Sequence, residues 1–119
     1  MVGEKIILTQ GGVYLAKLNP AKKDEVGKVR PVAVLTASVI LKVQPDVVFV
    51  CPLSSQSHVA FSALHVALPP RDQLQRKSFA LVEHCRSIAI HRLTMPRLAQ
   101  LTDDELTAIL LRLQRMVGL

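Results

Sequence analysis

From Val13 to Ile90 the chain offers short apolar runs, each cut by proline, glycine or a polar cluster before a helix of ordinary length could form. Val13 to Leu18 alternates, with Val13, Leu15 and Lys17 on one face and Tyr14, Ala16 and Leu18 on the other, and Asn19-Pro20 stops it. A charged stretch from Ala21 to Val29 follows, which predicts a long loop, and the chain resumes at Arg30-Pro31 into Val32-Ala33-Val34-Leu35-Thr36. Val47 to Cys51 is apolar throughout, between Pro45-Asp46 and Pro52, as a central strand buried on both faces would be. Phe61 to Leu68 alternates up to Pro69-Pro70, and Ser78 to Glu83 and Arg86 to Ile90 complete the set. Six short strands with no long helix between them predict a small barrel or a strongly curved sheet.

Only the end of the chain changes period. Thr102-Asp103-Asp104-Glu105 has the form of a capping box, and Leu106, Ile109, Leu110, Leu113 and Val117 then recur at helical spacing up to Gly118. A single C-terminal helix should lay this stripe on the sheet, with Arg112 and Arg115 in its last turns. The expected fold is mainly β with a C-terminal α-helix, in one domain over residues 1–119. Half of the residues are hydrophobic and 20% are charged, which excludes intrinsic disorder. Pro31 to Leu41 carries no charge but is far short of the roughly 20 residues of a spanning helix, so no membrane role is expected. Glu4 and Lys5 interrupt the N-terminus and no export signal is read there, so the expected location is cytoplasmic, with Cys51 and Cys85 as free thiols.

A formal charge of +6 favours acidic partners: nucleic acid, an acidic protein segment or an anionic membrane face. The membrane fits worst, because the helix has neither Trp nor Phe to anchor it. No Gly-rich phosphate loop is present, and His58, His65, His84, His91 and the two cysteines lack paired-ligand spacing, so neither cofactor nor metal is expected. What remains is a pair of polar turns beside apolar strands: the loop with Glu25, Lys28 and Arg30, and Pro52-Leu53-Ser54-Ser55-Gln56. Brought together, they would supply a carboxylate, a guanidinium, hydroxyls and an amide. Cleavage of RNA by its own 2′-hydroxyl needs such groups: a base for that proton, an acid for the leaving 5′-oxygen, and donors for the phosphorane charge. Spacing alone favours the plainer reading, in which Arg30 is a surface arginine, Glu25 a solvated charge, and Ser54 and Gln56 are turn formers.

The run Gly12-Val13-Tyr14-Leu15-Ala16-Lys17-Leu18-Asn19-Pro20, followed by Glu25-Val26-Gly27-Lys28-Val29-Arg30-Pro31-Val32-Ala33-Val34-Leu35, resembles the opening signature of the MazF/PemK toxin endoribonucleases. Pro52-Leu53-Ser54-Ser55-Gln56, Leu64-His65-Val66 and Leu81-Val82-Glu83-His84-Cys85-Arg86-Ser87-Ile88 follow in the same order, so the resemblance covers nearly the whole chain. It implies an SH3-like, strongly curved β-barrel with a C-terminal helix, acting as a homodimer. It further implies metal-independent cleavage of single-stranded RNA at short sequences, and inhibition by an acidic antitoxin segment. Carried over by position, Arg30 would be the main catalytic cation, Ser54 would contact the scissile phosphate, and Glu25 would take a catalytic acidic position. Lys28, Ser55, Gln56, His58 and Arg86 are the candidate RNA contacts. Ser54 stands where the family more often has Thr, His84 stands where Gln is common, and His58 is an additional titratable group. The alternatives are a non-catalytic gyrase poison of the CcdB branch, whose C-terminal Trp this chain lacks, and an inactive relative that binds RNA or antitoxin. Tyr14, Phe49, Phe61 and Phe79 are too few for a pure base-stacking platform.

Overall fold

The computed structural model describes residues 7–18 and 28–119. Seven strands form one antiparallel sheet: β1 (Gly12–Leu18), β2 (Lys28–Val34), β3 (Val47–Ser54), β4 (His65–Leu68), β5 (Ser78–Leu81), β6 (Arg86–Ala89) and β7 (Leu93–Gln100). A short helix α1 (Ser38–Leu41) joins β2 to β3, and α2 (Asp103–Met116) follows β7. The strands run in the order β4-β5-β3-β2-β1-β7, with β6 paired to β3 off that path. The mainly β class with its C-terminal helix is as expected, but the sheet curves without closing into a barrel. Its two end strands do not pair with each other, and α2 packs against β4 instead.

Both faces of the sheet are covered. One carries Val13, Ala33, Cys51, Leu53 and Ala80 against Ile109 of α2; the other carries Tyr14, Ala16, Val32, Val34, Val48, Val50 and Ile88, filled by Leu8 and Leu41. Continuous burial on both faces is why β3 reads as an unbroken apolar run. The capping box of α2 forms as the sequence implies: Thr102 Oγ1 accepts from Glu105 N–H at 3.1 Å, and Glu105 Oε1 accepts from Thr102 N–H at 2.9 Å. Ile109 is fully buried with Leu106 and Leu113 beside it, whereas Val117 lies beyond the helix and is exposed.

Two expected strands differ and one strand is additional. The alternation from Phe61 is not strand at first: Val59–Leu64 winds as a 3-10 turn, Phe61 is exposed, and the strand begins only at His65. Ser78 to Glu83 is likewise β5 followed by a 3-10 turn over Val82–His84. The seventh strand, β7, contains Pro96 and escapes a periodicity reading because it pairs with β1 irregularly: Leu15 faces Thr94 while Val13 faces Ala99, and the residues between bulge out of the ladder. At the opposite end of β1, Gly11 takes φ +83, and a Cβ there would sit 2.8 Å from the side-chain nitrogen of Gln100. That nitrogen donates to Gln10 O at 2.9 Å, so the turn before β1 is locked to the end of β7.

Candidate active site

Two prolines stand beside the cleft, and only one of them ends a ladder. Leu35 N–H donates to Phe49 O, so by the alternation of an antiparallel ladder Ala33–Cys51 is the next hydrogen-bonded pair and Val32–Pro52 is a non-bonded one. The N–H that Pro52 lacks would therefore point away from β2. There, β3 leaves its partner β6 after Val50 and takes up β5 from Leu53, so the strand runs through Pro52 to Ser54 instead of ending at it. Pro31 is the opposite case. Its nitrogen would face β3, and the β2–β3 ladder ends beside it at Val32–Pro52. Beyond that pair a cleft of about 450 Å³ opens, floored by Leu15, Pro31, Leu53, Leu74 and Leu98.

Arg30, Ser54 and Ser55 line this cleft, as the two-turn arrangement anticipates. Arg30 is half-buried opposite Ala16, and among the described residues no carboxylate lies within ion-pair reach of it. The Ser54 hydroxyl accepts from Gln56 N–H at 3.1 Å, which spends an acceptor site and leaves its proton free to donate. The remaining candidates are placed elsewhere or not described. Gln56 and His58 are exposed and do not line the cleft, and His58 leads into the 3-10 turn. Arg86 opens β6 opposite Val50, on the far side of β3 from β2. Lys28 opens β2 opposite Leu18. Glu25 lies outside the described residues.

The facing wall comes from a segment that periodicity leaves unremarked, apart from Pro69-Pro70 as a stop. Arg71 and Leu74 exchange backbone hydrogen bonds at 2.8 Å, closing a tight turn with Asp72 at φ 47. Gln73 N–H donates to Leu98 O at 3.0 Å, and both guanidinium Nη atoms of Arg71 bond the two Glu105 oxygens. That pairing holds the Glu105 carboxyl below the usual carboxylate range, although partial burial works against it. Gln73, Gln75 and Arg76 project from this turn into the cleft lining. The dense polar run Arg71-Asp72-Gln73-Leu74-Gln75-Arg76-Lys77 was the available signal for them. No acidic side chain lines the cleft among the described residues, so Arg30 and Arg76 give it positive character.

Two further clusters lie outside the cleft. Ser57 Oγ is 2.6 Å from His65 Nδ1, and His65 Nε2 is 2.8 Å from Glu83 Oε2. A carboxylate only accepts, so Nε2 donates to Glu83, and the Ser57 hydroxyl, which can give or take a proton, satisfies Nδ1. This line fastens the β3–β4 connection to the 3-10 turn at Val82–His84. The neighbouring Cys85 thiol pushes the Cys51 thiol up, with burial adding to it, and Cys51 draws the Cys85 thiol down. Among the described residues, no three His, Cys, Asp or Glu side chains gather as a ligand set, and no helix is long and apolar enough to cross a membrane.

Comparison with known proteins adds two findings. Residues 9–117 match the family model of PemK-like, MazF-like toxins of type II toxin-antitoxin systems. The fold is that of MazF from Deinococcus radiodurans, with a TM-score of 0.78 at 23% identity over 97% of this chain and 100% of that one. The Mycobacterium tuberculosis toxin MazF-mt6 superposes with a TM-score of 0.72 at 18% identity, covering 91% of this chain and 97% of that one. A mycobacterial endoribonuclease in complex with its cognate antitoxin gives 0.73 at 17% identity, covering 94% and 96%.

Proposed function

The chain belongs to the PemK-like, MazF-like toxins of type II toxin-antitoxin systems, and from that premise we propose that it is a metal-independent endoribonuclease which cleaves single-stranded RNA at a short sequence. One observation carries the reading: the cleft beside Pro31 collects Arg30, Ser54 and Ser55 on an apolar floor. Each has work in transesterification. The always-charged guanidinium of Arg30 meets the phosphorane oxygens, where a fixed cation lowers the barrier without reorganising. Ser54, its hydroxyl oriented by Gln56 N–H, donates to a non-bridging oxygen. Glu25, five residues before Arg30, takes the 2′-proton, and that oxygen attacks the adjacent phosphorus as the P–O5′ bond breaks and the leaving 5′-oxygen takes a proton from water. The proposed working unit is a homodimer, and an acidic antitoxin segment is its inhibitor.

The products test this. Cleavage of a long RNA in excess EDTA should persist and leave 2′,3′-cyclic phosphate and 5′-hydroxyl ends, read by end-labelling. A 5′-phosphate, or activity that EDTA abolishes and magnesium restores, would overturn the mechanism. The CcdB-type alternative is tested in the same way, since a gyrase poison would leave RNA intact.

A further inference from the structure

We infer that the turn carrying Gln73, Gln75 and Arg76 is a purine-recognition element, reading the Hoogsteen edge of one base next to the cleaved bond. The inference rests on the ribonuclease reading and names what that cleft selects. Across the cleft from Arg30 and Ser54, these side chains present two primary amides and a guanidinium above an apolar floor. No side-chain hydrogen bond within the described chain engages any of the three. Their donors and acceptors are thus available to a ligand. They also stand on a fixed support. Arg71 ties the turn to Glu105 at the start of α2, Gln73 N–H ties it to β7, and buried Leu74 anchors it from below. An anchored backbone suits discrimination, because the side chains alone, and not the turn that carries them, are ordered on binding.

The chemistry narrows the ligand to a purine. A primary amide can bond adenine at N6 and N7 together, and a guanidinium can bond guanine at O6 and N7. Both pairings use N7, which pyrimidines lack. Single-stranded RNA exposes that edge, because an unstacked base can be turned into a cleft. A cleft of about 450 Å³ falls inside the roughly 300–1,000 Å³ common for small-ligand sites and leaves room for one base beside the reacting phosphate.

The experiment maps new 5′ ends from a long RNA cut by the wild-type protein and by Gln73→Ala, Gln75→Ala and Arg76→Ala. In the wild type a purine should dominate at one fixed position flanking the cut. At least one of the variants should relax that position while the others keep their preference. A short substrate carrying the 7-deaza purine there, which replaces N7 by C–H, should be cut about tenfold or more slowly by the wild type. The variant that lost the preference should show no such penalty. All three residues are exposed, and circular dichroism should confirm that the variants fold. A wild type that cuts RNA with no fixed purine, or variants with unchanged preference and an unchanged 7-deaza penalty, would overturn the inference and leave the ribonuclease reading standing. A wild type that cuts no RNA would overturn both.

Discussion

A guanidinium holds two phosphate oxygens at once with a planar fork, whereas an ammonium of the same charge does not, and Arg30 allows that difference to be measured. Arg30→Ala and Arg30→Lys should both lose cleavage by on the order of a hundredfold or more, the scale of removing one transition-state donor. RNA affinity should fall much less, and Ser54→Ala should be intermediate. Single-turnover rates beside a circular dichroism check decide it; an Arg30→Lys variant as fast as the wild type would make Arg30 a mere surface charge. Arg30 stands next to Pro31, beside which the β2–β3 ladder ends, and Ser54 follows Pro52 by two residues, so short proline motifs mark both positions in the sequence. Gln56 and His58 do not line the cleft, for a local reason. After Ser54 the chain turns on its own hydroxyl and leaves through a 3-10 turn, so neighbours in sequence do not remain neighbours in the cleft. Gln73, Gln75 and Arg76 gain their position from contacts to β7 and α2, which no local pattern contains.

Between elements, the tie from Arg71 to Glu105 joins the cleft wall to the helix N-terminus, where a carboxylate is favoured anyway. Because folding lowers the Glu105 pKa, the unfolded chain binds that proton more readily. The stability Glu105 contributes is therefore present above the ordinary carboxylate value and lost as pH falls through the lowered folded value. Arg71→Ala should cost about 1–3 kcal/mol at neutral pH and flatten this acid limb. Urea midpoints between pH 7 and pH 3, for wild type and variant, would test it; parallel pH profiles would contradict the linkage. The same scale shows what element reading could and could not do. The helix was legible from Thr102 onward because its cap and its stripe both lie in one segment. In contrast, β3 was cut short at Pro52, since a change of pairing partner at that residue is a property of β5 and β6 and not of β3 itself. The open edge of the strongly curved sheet is set in the same way by α2 packing on β4.

For the molecule as a whole, a net charge of +6 sets up a field that does not distinguish one polyanion from another. The cleft adds Arg30 and Arg76 on one side of the sheet with no described acidic residue among its lining. Single-stranded RNA and an acidic antitoxin segment should then compete for this face, each excluding the other. Both complexes should weaken with salt, by screening for the peptide and by release of condensed counterions for RNA. If about four phosphates are contacted, RNA affinity should fall roughly fiftyfold between 50 and 200 mM salt, and neutralising Arg30 should shallow that slope by about one contact. Titrating labelled RNA against an acidic peptide at several salt concentrations measures both effects, with light scattering at the same protein concentration reporting whether the binding unit is the proposed dimer. Simultaneous binding of RNA and peptide with no mutual loss of affinity would show that the two occupy separate surfaces. A salt slope unchanged by Arg30→Ala would show that the phosphate path runs elsewhere on the sheet.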